Sequence, residues 1–435
     1  MTGRQVGNRA VVIGGGLAGL LAARALAGAF GQVLVLDRRP LAAGRPRTRP
    51  AQLLHGRAEQ VLRELFPGLI EELLEAGALS AEFGAVRQYL AGRPLLPAAD
   101  RTLAVDPTDL EARLLVRVQA LPAVRFAAAS YVLGLVGDPT GDRVRGVRVR
   151  TPHGRRDEVV EADLVVDAAG RSSATPGWLA GLGYRAPGED RIPVGDNHIS
   201  QQYLVRDEAV FAGALALEVA AEPADRRGAL LVRLGGGRCV LTVRAPGDLP
   251  AGPAELVDWT RTLPTPDLHS ALAGASPLGD PAPGRFEFGA RRRYDLLDRL
   301  PDRLLVLGDA LASVNPAHRL APAIVGQQAL VLREQVRYGL PQPLVFAKEV
   351  AGALDVPWNL AAGADLRLAG MPGACGADVE VDAAFLARVR AAATRDPVLA
   401  GALVRVTGLL DPPETLLTTD IVARALGSRD VAHMT

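Results

Sequence analysis

At 435 residues, the chain is too long for a single small module and, on a prior of about 150 residues per domain, has room for two or three units with cores of their own. A net charge of +1, from 49 basic and 48 acidic residues, gives no electrostatic reason to expect a nucleic-acid or acidic-membrane partner. Hydrophobic residues make up 49% of the chain, yet no uninterrupted apolar run reaches the roughly 18 residues that a membrane span needs. The N-terminus enters a strand-like run at once, without a charged leader and an apolar stretch before a cleavage site, so a cytoplasmic protein is expected.

Lys348 is the only lysine, so nearly all positive charge is arginine, and an individual arginine is first read as a solvated surface residue. Cys239 and Cys375 stand far apart in no metal-binding spacing, which indicates neither a disulfide framework nor a zinc site.

In chain order, AVVI at residues 10–13, GGGLAG, LLAARALAGAF and QVLVLD give strand, turn, helix and second strand. GLIEELLEAGA and DPTDLEARLLVRVQAL predict helices, the latter capped by Asp106 or Thr108 with Pro107 near its start. AVRF and ASYVLGLVG predict strands. Arginine alternates with valine from Arg143 to Arg150 before a Pro-His-Gly turn and a returning strand, which predicts a surface hairpin. ADLVVDAAGRSS and DRLLVLGDALASVNP each read as strand then turn. Between them NHISQQYLV, GALALEVA and ALLVRLGGGRCVLTV read as antiparallel strands of mixed polarity, a sheet-rich insertion. After about residue 326 the chain reads as mostly helical, broken at VPWNLAAGADLRL and LLDPPETLL, with Trp358 assigned to the core.

The predicted fold is therefore α/β: a Rossmann-like nucleotide-binding domain over residues 1–177 and 296–345, an inserted antiparallel-sheet substrate domain over 178–295, and a helical C-terminal region over 346–435. Gly14, Gly16 and Gly19 satisfy G-x-G-x-x-G between a strand and a helix. The first glycine permits the tight turn, the second lets a pyrophosphate approach the backbone, and the third lets helix and strand pack closely. The helix N-terminus offers N–H groups to the phosphates. Asp37 ends the second strand 23 residues after Gly14, where a carboxylate accepts from an adenosine ribose.

VVIGGGLAGLLAARAL, LVVDAAGRSS and LLVLGDALASVNP, in that order and at those separations, resemble the fingerprints of the class A flavin monooxygenases, the FAD-dependent aromatic hydroxylases and polyketide epoxidases. LFPGLIEELLEAGA, RRRYDLLDRLPDRLLVLGDA and DVPWNLAAGADLRL look like the branch of bacterial polyether epoxidases. The resemblance implies FAD as cofactor, with Gly14, Gly16, Gly19 and Asp37 on its adenosine diphosphate half. It places Asp309, in the Gly308-Asp309 pair, on the ribitol, Arg49 near the flavin, and the turn from Asp167 to Arg171 as a support. It also implies a substrate cavity roofed by the inserted sheet, and no separate nicotinamide domain.

The family pattern fails on the ring side. Its Gly-x-Gly pair after Asn-Pro reads Arg319-Leu320-Ala321 here, followed by Pro322, which lacks a backbone N–H where the next helix begins. Its Pro-Gln-x-Arg-x-x-His segment reads Pro46-Arg47-Thr48-Arg49-Pro50-Ala51-Gln52, which keeps the arginine and loses the glutamine and histidine. Its Ser-Arg before the LE helix reads Asp106-Pro107.

Intact adenosine-side motifs beside altered ring-side motifs imply a redox-neutral cyclase, of Diels-Alder type, acting on a large apolar polyketide intermediate, with FAD either structural or lost. Arg319 and His318 are its candidate catalytic donors, Arg319 expected to be paired with a carboxylate or with the substrate. The alternative is an FAD-dependent monooxygenase or epoxidase using NAD(P)H and O2, and a non-catalytic binding protein of the same fold also remains. His198 and Tyr203 read as ordinary strand residues. The oligomeric state is left open.

Overall fold

A computed structural model describes residues 5–39, 49–90, 92–151, 156–371 and 383–427. The Pro-His-Gly turn, residues 46–48 of the arginine segment and Cys375 lie outside these.

The N-terminal apolar runs form a five-stranded parallel sheet in the order Leu304–Val306, Leu164–Asp167, Gly7–Ile13, Phe30–Leu36 and Val124–Ala127. Its central strands carry helices on their faces and read as continuous apolar runs, as buried parallel strands do: Ala10, Val11 and Val12 have no solvent exposure. The helices Leu17–Leu26 and Ala321–Val336 pack against each other over this sheet, and Trp358 joins the same core.

The sheet-rich segment contributes to an eight-stranded sheet in the order Ala312–Ser313, Ser276–Arg292, Glu189–Leu204, Arg238–Ala245, Gly228–Arg233, Ala216–Val219, Val86–Leu90 and Arg93–Pro94. Neighbours are antiparallel except Ala216–Val219 with Val86–Leu90. Strands from residues 86–94 and 312–313 thus complete a sheet whose body lies between residues 189 and 292. One of its faces packs on Leu256, Leu268 and Leu272, and the other on Leu53, Ala104 and the C-terminal Leu399, Ala400 and Leu403. Tyr203 belongs to the former face, where its hydroxyl donates to Pro253 O at 2.6 Å. His198 lies against Gly284, where an added Cβ would come within 2.3 Å of the imidazole Nε2.

The predicted hairpin is present: Val144–Arg150 pairs with Glu158–Glu161, with Val144, Val147 and Val149 buried and Arg145, Arg148 and Arg150 exposed. The helix Pro107–Gln119 is capped by Asp106, whose carboxylate accepts from Thr108 N at 2.8 Å. One expected break is absent. Residues 356–368 continue a single helix, Pro343–Leu368, with Pro357 inside it. An interior proline costs about 3 kcal/mol, and the burial of Leu354, Trp358, Ala361, Ala362 and Leu366 on one side of the helix opposes that cost. The second expected break holds: Pro413–Leu417 is a short 3-10 turn between helices.

Candidate nucleotide and substrate site

A cavity of about 560 Å³ opens along the C-terminal ends of the parallel strands, the location where open α/β sheets bind ligands. Gly14, Gly16, Asp37, Arg49 and Asp309 line it. Gly14 holds φ at +102°, and a Cβ there would meet Ala168 O at 2.4 Å, so the turn admits glycine alone. Gly19 and Gly308 shape the site from behind the wall: added Cβ atoms would come within 1.8 Å of Gly14 O and 2.5 Å of Ala18 Cβ.

The Asp37 carboxylate accepts from Gly15 N at 2.7 Å, Arg39 N at 2.8 Å, and Arg39 Nε and Nη2 at 3.1 and 2.9 Å. Burial alone would raise its pKa, but these donors outweigh burial and hold the carboxyl below its ordinary value. The four bonds fill the acceptor positions of a carboxylate, so a ribose hydroxyl reaches Asp37 by displacing the half-exposed Arg39 guanidinium. Tyr131, 50% exposed, lies on the same stretch of wall with Arg38 and Arg39.

Asp167 is buried beneath the cavity rather than on its wall. It accepts from Ala169 N at 2.9 Å and from the Ser173 hydroxyl, and so fixes the turn whose Ala168, Ala169 and Gly170 face the cavity. Burial pushes its carboxyl up. Arg171 leaves the turn toward the eight-stranded sheet, donating to Phe288 O at 2.6 Å with its guanidinium over the Phe286 and Phe288 rings. Asp309 is open to the cavity, and the protein packed around its other sides raises its carboxyl while Arg171 opposes. Arg49 donates to Glu111 at 2.9 Å.

The ring-side loop takes a defined form. Arg319 sits in the left-handed region, φ 59° and ψ 19°, a conformation glycine adopts without strain. Its guanidinium points away from the cavity and grips Glu218 through both terminal nitrogens, at 2.9 and 3.0 Å, with the side chains 12% and 13% exposed. Arg319 Nε is buried without a partner. His318 Nε2 lies 2.9 Å from Asp365 Oδ1, which also accepts from Asn315 Nδ2 at 2.9 Å. Neither His318 nor Arg319 is on the cavity wall; Ala321 and Pro322 are. The loop is therefore tied to the eight-stranded sheet by Arg319 and to the Pro343–Leu368 helix by His318. No residue of the eight-stranded sheet lines this cavity, so the expected roof is packed onto the loop instead.

The sequence left the partner of Arg319 open between a carboxylate and the substrate and set Arg319 and His318 as donors facing the cavity; the partner is Glu218, and neither residue reaches the cavity wall. Glu218, Asp365 and Arg39 carried no signal, because each acquires its role from an element distant in the chain or from a local fold-back.

The adenosine side fits FAD: a glycine turn closed to side chains, an ionised aspartate at the end of the second strand, and the free N-terminus of the Leu17–Leu26 helix. Where the ring would follow, the Ala321 methyl and the Pro322 ring replace bare backbone. A glycine-turn cradle at the strand ends of a parallel sheet, beside a large mixed sheet, defines a dinucleotide-binding flavoprotein fold. Residues 8–196 match the family described as FAD binding domain. Protein Rv3254 of Mycobacterium tuberculosis (strain ATCC 25618 / H37Rv) is 34% identical over 365 residues, which cover 78% of this chain and 75% of that protein. The chain belongs to the FAD-binding family of class A flavin monooxygenases.

Among solved structures, the flavin-dependent brominase Bmp2 has a TM-score of 0.68 at 18% identity, covering 98% of this chain and 99% of its own. p-Nitrophenol 4-monooxygenase PnpA from Pseudomonas putida DLL-E4 has 0.67 at 18%, covering 93% and 99%. The Diels-Alderase PyrE3 of the pyrroindomycin biosynthetic pathway has 0.61 at 19%, covering 93% and 81%. At these identities the likeness is one of fold. No helix among the described residues is long and apolar enough to cross a membrane.

Proposed function

We propose that this enzyme-family scaffold closes a ring in a large apolar polyketide intermediate without net oxidation, by a Diels-Alder-type reaction, and keeps FAD as a structural group. The observation that carries this is the start of the Ala321–Val336 helix. Bound flavin supplies an electron-accepting ring, and a reduced ring carries negative charge that free N–H groups at a helix N-terminus stabilise. Here Pro322 has no N–H to give, and a methyl and a pyrrolidine ring stand on the wall.

What remains for catalysis is restriction of a flexible chain to one reactive conformer, an entropic gain that needs a shaped site rather than a redox group. Arg319 and His318 fix the loop beside that site. Neither is on the cavity wall, so their part in this reading is to position the loop through Glu218 and Asp365 rather than to donate to the substrate. The Diels-Alderase activity named for PyrE3, at 19% identity, supports the reading to the extent that the same fold hosts redox-neutral chemistry.

The second reading is an NAD(P)H- and O2-dependent monooxygenase or epoxidase, which the complete adenosine-side cradle and the large cavity favour. Incubating the purified protein with a candidate linear polyketide under nitrogen, without nicotinamide, separates the two. An isomer of unchanged mass supports the cyclase. A product heavier by one oxygen, formed only with O2 and NADPH, overturns it.

A further inference from the structure

Asp37 serves a nucleotide only to the extent that its oxygens are free, and a near neighbour in the chain holds both of them. Arg39 Nε donates to Oδ1 at 3.1 Å and Nη2 to Oδ2 at 2.9 Å, a bidentate fork that is stronger and more directional than a single charged hydrogen bond. The remaining positions are filled from the backbone, by Arg39 N on Oδ1 and Gly15 N on Oδ2. These two sets of donors differ in their freedom. Gly15 N belongs to the glycine turn, and the Arg39 backbone is held by Ala129 N, which donates to Arg39 O at 3.2 Å. The Arg39 side chain is 46% exposed and stands on the cavity wall, so its guanidinium can leave by rotation about side-chain bonds alone. Glu111 stands on the same wall, near enough for its charge to act on Arg39, and a displaced guanidinium therefore keeps a counter-charge within reach.

We propose that Arg39 is an internal competitor for the ribose hydroxyls and so sets how strongly the cradle selects a ribonucleotide. A hydroxyl gains Asp37 only by exchanging one bond for another, so the ribose adds less to affinity than an uncontested aspartate would give it. The diphosphate at the N-terminus of the Leu17–Leu26 helix then carries the larger share. A nucleotide without ribose hydroxyls makes no demand on Asp37 and binds with the Arg39 fork closed. Competition thus couples one side chain to one pair of groups on the ligand, and removing each in turn isolates that coupling. The proposal concerns the adenosine half alone and is independent of the reaction run on the ring side.

The test titrates the full-length protein calorimetrically with ADP and with dideoxy-ADP, whose ribose lacks both hydroxyls, for wild type, Arg39→Ala and Arg39→Met. Methionine keeps most of the stem without the charge. Thermal unfolding checks that the variants fold, and the backbone N–H groups of residues 15 and 39 still serve Asp37 in both. ADP should bind the variants roughly three- to tenfold more tightly, the scale of a half-exposed ion pair with bidentate geometry. Dideoxy-ADP should change by less than about twofold. Gains of equal size for both nucleotides would show a general electrostatic or structural effect and overturn the proposal. Weaker ADP binding to the variants would make Arg39 a ligand of the nucleotide and overturn it too, as would unchanged ADP affinity or the absence of ADP binding in all of the proteins. The nitrogen incubation reads product mass and not nucleotide affinity, so the cyclase reading and this one fail separately.

Discussion

Replacing Glu218 with leucine should be among the most damaging single changes outside the nucleotide cradle. Arg319 and Glu218 are 12% and 13% exposed and joined by two short bonds, so the 0.2–1 kcal/mol typical of exposed pairs does not apply. Leucine leaves a guanidinium with no counter-charge in a place water barely reaches, a situation that costs about 3–5 kcal/mol. The midpoint of thermal unfolding, followed by circular dichroism, should fall by roughly 3–5 °C. Arg319→Leu should be comparably harmful, although Gln88 Nε2 still donates to Glu218 at 3.1 Å; leucine keeps the left-handed backbone and its strain. The double variant Glu218→Leu/Arg319→Leu should lose less than the sum of the singles, because neither charge is then stranded. Burial alone would raise the Glu218 carboxyl, but Arg319 outweighs it and holds the group below its ordinary value. The pair's contribution is therefore present above the ordinary carboxylate range and is lost as pH falls through the depressed folded-state value. Single-variant losses below about 1 kcal/mol, or strictly additive losses, would refute the reasoning.

Asp37→Ala should weaken ADP and FAD alike, by roughly tenfold for the loss of ribose hydrogen bonds, as read by calorimetric titration; an FAD-only effect would contradict its placement. Gly14→Ala should abolish nucleotide binding, since its Cβ would lie 2.4 Å from Ala168 O at a φ of +102°, and equilibrium dialysis with ADP checks this. His55 is pushed down to about 4, first by burial and then by the charge of Arg319. Its neutral form is the folded one, so stability present above the unfolded value of about 6.5 should decline as pH falls toward 4, and His55→Leu should flatten that limb of a pH-stability profile.

The adenosine side was legible because its chemistry is local. Gly14, Gly16 and Gly19 answer to a turn of a few residues, and Asp37 to the end of the very next strand. The alternation at Val144–Arg150 and the Asp106 cap were equally readable, each being fixed within its own element. Pro357 misled because its penalty is local while the packing of Trp358 and its neighbours is tertiary. The oddity of Arg319 could be seen in sequence, but its answer could not: Glu218 lies 101 residues earlier, on a strand whose place is set by pairing with Val86–Leu90.

The eight-stranded sheet has a consequence for how the chain is made and cut. Its strand at Val86–Leu90 leaves the ribosome well before the partner at Ala216–Val219, and Ala312–Ser313 arrives later still to pair beside Ser276–Arg292. Until then the nascent sheet has open edges of the kind that recruit other chains. A fragment cut at residues 178–295, however natural it looks as a separate unit, would keep those edges permanently, losing Val86–Leu90 from one side and Ala312–Ser313 from the other. Such a fragment should aggregate on expression, whereas the full chain covers Ala216–Val219 with Val86–Leu90 and the end of Ser276–Arg292 with Ala312–Ser313.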